Sequence, residues 1–212
     1  MSNLNRMIDK VVDNKDKQRT YQVQLGRYKK AMANEFYFEA MMIVYATMED
    51  RLRSFLYYIG TFRDANDSKL FKSKAKSNET LRKMYTSYLD VPSNSRIDVN
   101  KISTKMNMIR ATLHWAIDCE CAPVDGYQNV LKREYEGCVD MDGLLSTLDE
   151  IELWCKYRNE VVHGLLNKNL DSLDLQLGEK VEQGMSYARF VDSQVKSLKR
   201  KNMIRKFLKL SK

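Results

Sequence analysis

Of the two histidines in this chain, His163 closes the run Arg158-Asn159-Glu160-Val161-Val162-His163-Gly164. An imidazole that titrates near neutral pH can accept a proton from an attacking group or deliver one to a leaving group. A guanidinium can hold two oxygens of a phosphate and offset charge that builds on them. A carboxamide can orient either neighbour. Arg158, Asn159 and His163 therefore suit proton transfer beside a clamped anion. On an ideal helix Asn159 and His163 share a face, while Arg158 lies about 140° around from His163, within reach of the same cleft only through its long side chain. Gly164 lets the helix fray or deform just after the imidazole. The same residues could instead cap carbonyls at a helix end and pair with Glu152 or Glu160.

The bare spacing Arg-x(4–6)-His arises about 0.4 times in a shuffled chain of this composition, and about 0.06 times once a polar residue must follow the Arg. The aromatic lead-in Trp154-Cys155-Lys156-Tyr157, the following Gly164 and an apolar segment ending in Glu49-Asp50-Arg51-Leu52-Arg53 accompany it. Together these features resemble the HEPN (higher eukaryotes and prokaryotes nucleotide-binding) superfamily, specifically over residues 154–164 and loosely over most of the chain. The resemblance implies an all-α, HEPN-like bundle and metal-independent endoribonuclease activity. RNA carries its own nucleophile in the 2'-hydroxyl, so cleavage needs only proton transfer and stabilisation of a crowded phosphorane. His163 would then be the proton shuttle, Arg158 the phosphate clamp and Asn159 the orienting group, with no cofactor and no metal. The resemblance further implies a homodimer whose two motifs face one another across a composite cleft, each subunit giving one His. It also implies a prokaryotic toxin-like or host-defence setting, with an antitoxin or other regulatory partner. Leu165 stands two residues after His163, where toxins silenced by a nucleotidyltransferase often carry Tyr, so control by tyrosine modification there is not expected. Some members of the superfamily have lost catalysis and serve as RNA-binding or protein-interaction modules, which is the alternative reading.

The elements that must position these residues are helical. Two prolines and eight glycines leave long stretches with nothing to break a helix. Apolar residues recur at helical spacing in Leu4, Met7, Ile8, Val11 and Val12, predicting a first helix to about Lys30. Asn34 sits where an N-cap would precede a second helix, apolar over most of its surface, that Gly60 closes. Thr61 to Asn78 reads as a surface loop. Further helices are expected over Glu79–Leu89, Val99–Ile117, Tyr127–Tyr135 and Asp142–Leu166, the one that carries the motif, and from Leu173 into the basic C-terminus. The expectation is an antiparallel up-and-down bundle of five or six helices. It forms one domain over residues 1–195, followed by a basic helical extension or tail over 196–212.

The most apolar stretch, Ala40 to Ile59, is broken by Glu49, Asp50, Arg51 and Arg53, so no membrane span is expected. Met1 to Lys17 lacks the apolar core of a secretory signal, which makes the cytoplasm the expected location. Cys119, Cys121, Cys138 and Cys155 contain no Cys-x-x-Cys pair and read as reduced thiols, and a metal cluster of His114, Asp118, Cys119 and Cys121 would depart from the paired-knuckle spacing of structural zinc. His114, beside Trp115, reads as a partly buried structural histidine. The net charge of +8 equals the charge of the eight bases in residues 196–212, leaving a neutral body with a basic end suited to a polyanion or to solvent. A DNA-binding regulator is disfavoured, because no short helix-turn-helix unit with a Gly turn is found.

Overall fold

The computed structural model describes residues 14–62, 76–118, 126–164 and 170–210. They form α1 (Asn14–Ala33), α2 (Tyr37–Tyr58), α3 (Lys76–Tyr88), α4 (Ile102–Asp118), α5 (Gly126–Cys138), α6 (Met141–Gly164), α7 (Leu170–Lys201) and α8 (Met203–Phe207), with no strand among the described residues. The chain is all-α, as its composition predicts. The described helices number eight rather than five or six, in part because the C-terminal segment breaks at Asn202, whose φ of 50° ends α7 and starts α8. Leu4 to Val12 and most of the loop expected over Thr61–Asn78 lie outside the described residues. None of the described helices is long and apolar enough to cross a membrane.

α2 is the centre. Ala40, Met41, Val44, Met48, Leu52, Phe55 and Leu56 are all fully buried, and the helix packs against α1, α4 and α7. Gly60, at φ +86°, closes it as expected: the Thr61 amide donates to the Leu56 carbonyl at 3.0 Å and the Gly60 amide to Tyr57 at 3.1 Å. The start of α2 differs from expectation. Phe36 is the residue before the helix, and no side chain caps it. Asn34 instead donates from Nδ2 to the Lys30 carbonyl at 2.7 Å, and Glu35 takes a φ of +59°, so both residues finish α1. Asn tolerates helix ends of either polarity, which is why its type alone did not decide between them.

α2 and α7 run in the same direction. Tyr37 lies against Gly178, Arg51 Nη1 donates to Asp192 Oδ1 at 2.7 Å, and Gly60 lies against Leu208. A strict up-and-down succession would oppose them. The alternation fails at α5, both ends of which stay at one end of the bundle: the Tyr127 hydroxyl donates to the Ile59 carbonyl at 2.7 Å, and Lys201 Nζ donates to the Gly137 carbonyl at 2.7 Å. Periodicity reports which face of a helix is buried and not which way the helix runs.

The basic C-terminal segment is packed on the body. The Glu134 carboxylate accepts from the amides of Met203 at 3.3 Å and Ile204 at 2.9 Å, capping α8. Arg205, 2% exposed, donates to the carbonyls of Tyr57 and Phe62 at 3.0 Å each and of Leu210 at 2.7 Å, with its guanidinium 3.6 Å from the Tyr57 ring centroid. Arg205→Ala leaves buried carbonyls without donors and should lower unfolding free energy by about 3 kcal/mol, whereas exposed Lys199→Ala should change it by less than about 0.5 kcal/mol. Urea melts of the two variants check this, and equal midpoints would contradict it.

Candidate functional site

α6 carries the motif because its buried residues, Leu144, Leu148, Ile151, Trp154, Cys155 and Val161, hold it on the bundle. Trp154 fixes its position against α7. The indole Nε1 donates to the Lys180 carbonyl at 2.6 Å, and the ring lies where a Cβ on Gly184 would come within 2.6 Å of it. The Trp of the aromatic lead-in thus requires glycine on the facing helix.

One turn on, Arg158 is half-buried and leans towards α2. Its Nη1 donates to Asn159 Oδ1 at 2.9 Å, its Nη2 contacts Met42 Sδ at 3.5 Å, and its guanidinium carbon lies 4.4 Å from the Tyr45 ring centroid. Its Nε is buried without an acceptor. Among the other half-buried or buried arginines, Arg53 also stands over a ring, 4.8 Å from the Phe62 centroid, whereas four are compensated differently, Arg82 by the carbonyls of Ser93 and Ser95. Arg51 binds Asp50 and Asp192, Arg110 binds Asp149 at 2.8 Å and Glu152 at 3.0 Å, and Arg205 is surrounded by carbonyls. Arg158 meets an amide oxygen, a thioether and an aromatic face, but no carboxylate among the described residues. Glu152 is occupied by Arg110 and by Lys156 at 3.3 Å, so the alternative in which it pairs with Arg158 is not what the structure has. Glu160 is exposed and makes no ion pair among the described residues.

The structure joins Arg158 to Asn159 and shows no hydrogen bond from either to His163 among the described residues. Asn159 and His163 are both exposed, and His163 has no hydrogen bond among the described residues. Asn159 spends its carbonyl oxygen on Arg158, so it positions the guanidinium rather than the imidazole. The roles of Met42 and Tyr45 were not visible in the sequence, where they count only as apolar residues of a core helix. Leu165 lies outside the described residues.

The local electrostatics follow from burial and from Arg158. Burial raises the Tyr45 hydroxyl above its ordinary range despite the opposing pull of Arg158. Burial also pushes the Cys155 thiol up from about 9 to about 11, again against Arg158. Cys155 is therefore a protonated core thiol and no nucleophile. At the other flagged histidine, His114 stacks on Tyr88 with centroids 5.4 Å apart and lies 4.0 Å from Asp118. Cys119 and Cys121 lie outside the described residues, among which no three His, Cys, Asp or Glu side chains group for a metal.

The site and the basic end occupy opposite poles. Trp154 sits beside Lys180 and Gly184 near the start of α7, and Lys199 follows 15 residues after Gly184. At 1.5 Å per residue that is over 20 Å along the helix, before the further turn from Trp154 to Arg158 is added. No family model, curated protein or solved structure matches the chain.

The raised Cys155 value gives a pH test. The folded state keeps this proton to higher pH than the unfolded state, so burial of the thiol stabilises fully below about pH 9 and loses that contribution as pH rises towards about 11. The difference in unfolding free energy between wild type and Cys155→Ala should shrink across that window in denaturant titrations. A difference that stays constant would contradict the assignment.

Proposed function

We propose that this chain is a metal-independent endoribonuclease of the HEPN type. The observation that carries the reading is the half-buried Arg158 guanidinium, held over Tyr45 and by Asn159 with no carboxylate to neutralise it. A cation fixed in this way is prepared for an external anion, and its remaining N–H groups suit the oxygens of a phosphodiester. In the reaction, the ribose 2'-oxygen attacks the adjacent phosphorus, His163 takes the hydroxyl proton or gives one to the departing 5'-oxygen, and Arg158 offsets charge on the non-bridging oxygens. The products are a 2',3'-cyclic phosphate and a free 5'-hydroxyl. The RNA supplies the nucleophile, so no metal is needed to generate one.

The composite cleft of a homodimer, in which each subunit contributes one imidazole, is suggested by the sequence resemblance, and the exposed His163 is free to face a partner. The toxin-like or host-defence setting, with an antitoxin or regulatory partner, is suggested by the sequence resemblance and not by the geometry. The second reading is a non-catalytic RNA-binding or protein-interaction module, favoured by the exposed imidazole that nothing among the described residues orients.

Mixed-sequence single-stranded RNA incubated in EDTA should be cleaved to cyclic-phosphate ends by the wild type. His163→Ala should slow this by about 10²- to 10⁴-fold and Arg158→Gln by about 10²- to 10³-fold, with unchanged circular dichroism. Undiminished cleavage by His163→Ala would refute the assignment. No cleavage by a folded, dimeric wild type would favour the interaction module.

A further inference from the structure

Beside the motif, α1 and the start of α2 enclose an open groove of about 560 Å³. Its wall is apolar: Phe36, Phe38, Met42 and Ile43 all line it. Phe36 is 60% exposed and Met42 38% exposed, an arrangement that costs free energy in water unless something covers them. Glu35 directly precedes Phe36 and takes the left-handed conformation at φ +59°, a strained backbone for a residue that is not glycine.

Three cations surround this apolar wall. Arg27 and Lys30 line the groove from α1 and form no ion pair with a carboxylate among the described residues. The third is Arg158, whose Nη2 contacts Met42 Sδ at 3.5 Å. Met42 is thus shared: one side of it lines the groove and its sulfur touches the proposed phosphate clamp. Glu39 is the acid of the lining. A carboxylate there repels phosphate but can accept from an exocyclic amino group of a base.

An exposed aromatic ring with unpaired cations around it is the combination that binds single-stranded nucleic acid, the ring stacking on a base and the cations meeting the backbone. Stacking needs a base released from its helix, so duplex RNA does not fit. We infer that the groove between α1 and α2 is a nucleobase subsite: a base next to the cleaved linkage stacks on Phe36, Arg27 and Lys30 take its outer phosphate, and Arg158 takes the scissile one. The inference rests on the endoribonuclease reading and adds to it a substrate class, unpaired RNA, and a recognition residue, Phe36. The other possible occupants are a second copy of the chain and an apolar peptide.

The test uses the full chain carrying His163→Ala, so that RNA is bound and not cut, with a short single-stranded RNA and a set in which each nucleotide in turn is abasic. Phe36→Ala should weaken binding by about 5- to 100-fold. At one position the abasic RNA should bind as weakly as the intact RNA binds Phe36→Ala, and the two changes together should cost little more than either alone. Unchanged RNA affinity in Phe36→Ala, while the chain retains His163-dependent cleavage, would overturn the subsite and leave the ribonuclease reading intact. Dissociation of the oligomer by Phe36→Ala, seen in sedimentation, would overturn it in favour of a second copy in the groove. Neither binding nor cleavage of RNA by the wild type would remove both.

Discussion

Burial of α2 is the constraint that the other elements satisfy. A helix whose face towards α1, α4 and α7 is fully buried gains much hydrophobic free energy, but its second half also carries Glu49, Asp50 and Arg51 into half-buried positions. Each charge has to find a partner there. Glu49 draws in Lys105, 1% exposed, at 2.8 Å. Arg51 bridges Asp50 on its own helix, Tyr21 on α1 and Asp192 on α7. Burial works to raise the Asp50 carboxyl, yet Lys17, Arg51 and the Tyr21 hydrogen bond together hold it below the usual range. Removing one partner from such a group strands the others, so the polar network fixes how the three helices align.

Arg158 departs from that rule. Arg51, Arg82, Arg110 and Arg205 gain carboxylates or carbonyls where they lose water, whereas this one gains an aromatic face, a sulfur and an amide. Its Nε, like that of Arg51, is buried without an acceptor. A protein evolving only for stability would neutralise or remove such a cation, because a buried unpaired donor costs free energy. The residues that hold it sit on α2 and α6, two well-packed helices, so the guanidinium is presented rigidly at the end of the bundle opposite the basic C-terminus. The Arg158 guanidinium and the bulk of the positive charge are thereby separated in space.

The sequence showed the helical class, the apolar α2 and its glycine stop, because these depend on local periodicity and local backbone conformation. It also placed Arg158, Asn159 and His163 on one helix. It did not show that Arg158 leans on Met42 and Tyr45, since that contact joins residues 116 positions apart, and apolar residues on a core helix carry no mark of the one cation they will touch. Nor did it separate Arg205 from the surrounding bases. Composition counts all eight alike, while the structure buries this one among carbonyls and leaves Lys199 and Lys206 exposed. The shared direction of α2 and α7 was hidden for a related reason: it is set by α5 lying across one end of the bundle, and no periodic signal encodes that.

The proposed role of Arg158, held without a carboxylate among the described residues, is to receive a phosphate. The most direct measurement is the salt dependence of binding to a fully 2'-O-methylated single-stranded RNA, which has the phosphates and lacks the nucleophile, for wild type and Arg158→Gln. Loss of one phosphate contact should weaken binding and make the slope of log K against log salt shallower by about 0.7. Coincident lines for the two proteins would show that Arg158 does not meet the RNA backbone, and would contradict the account.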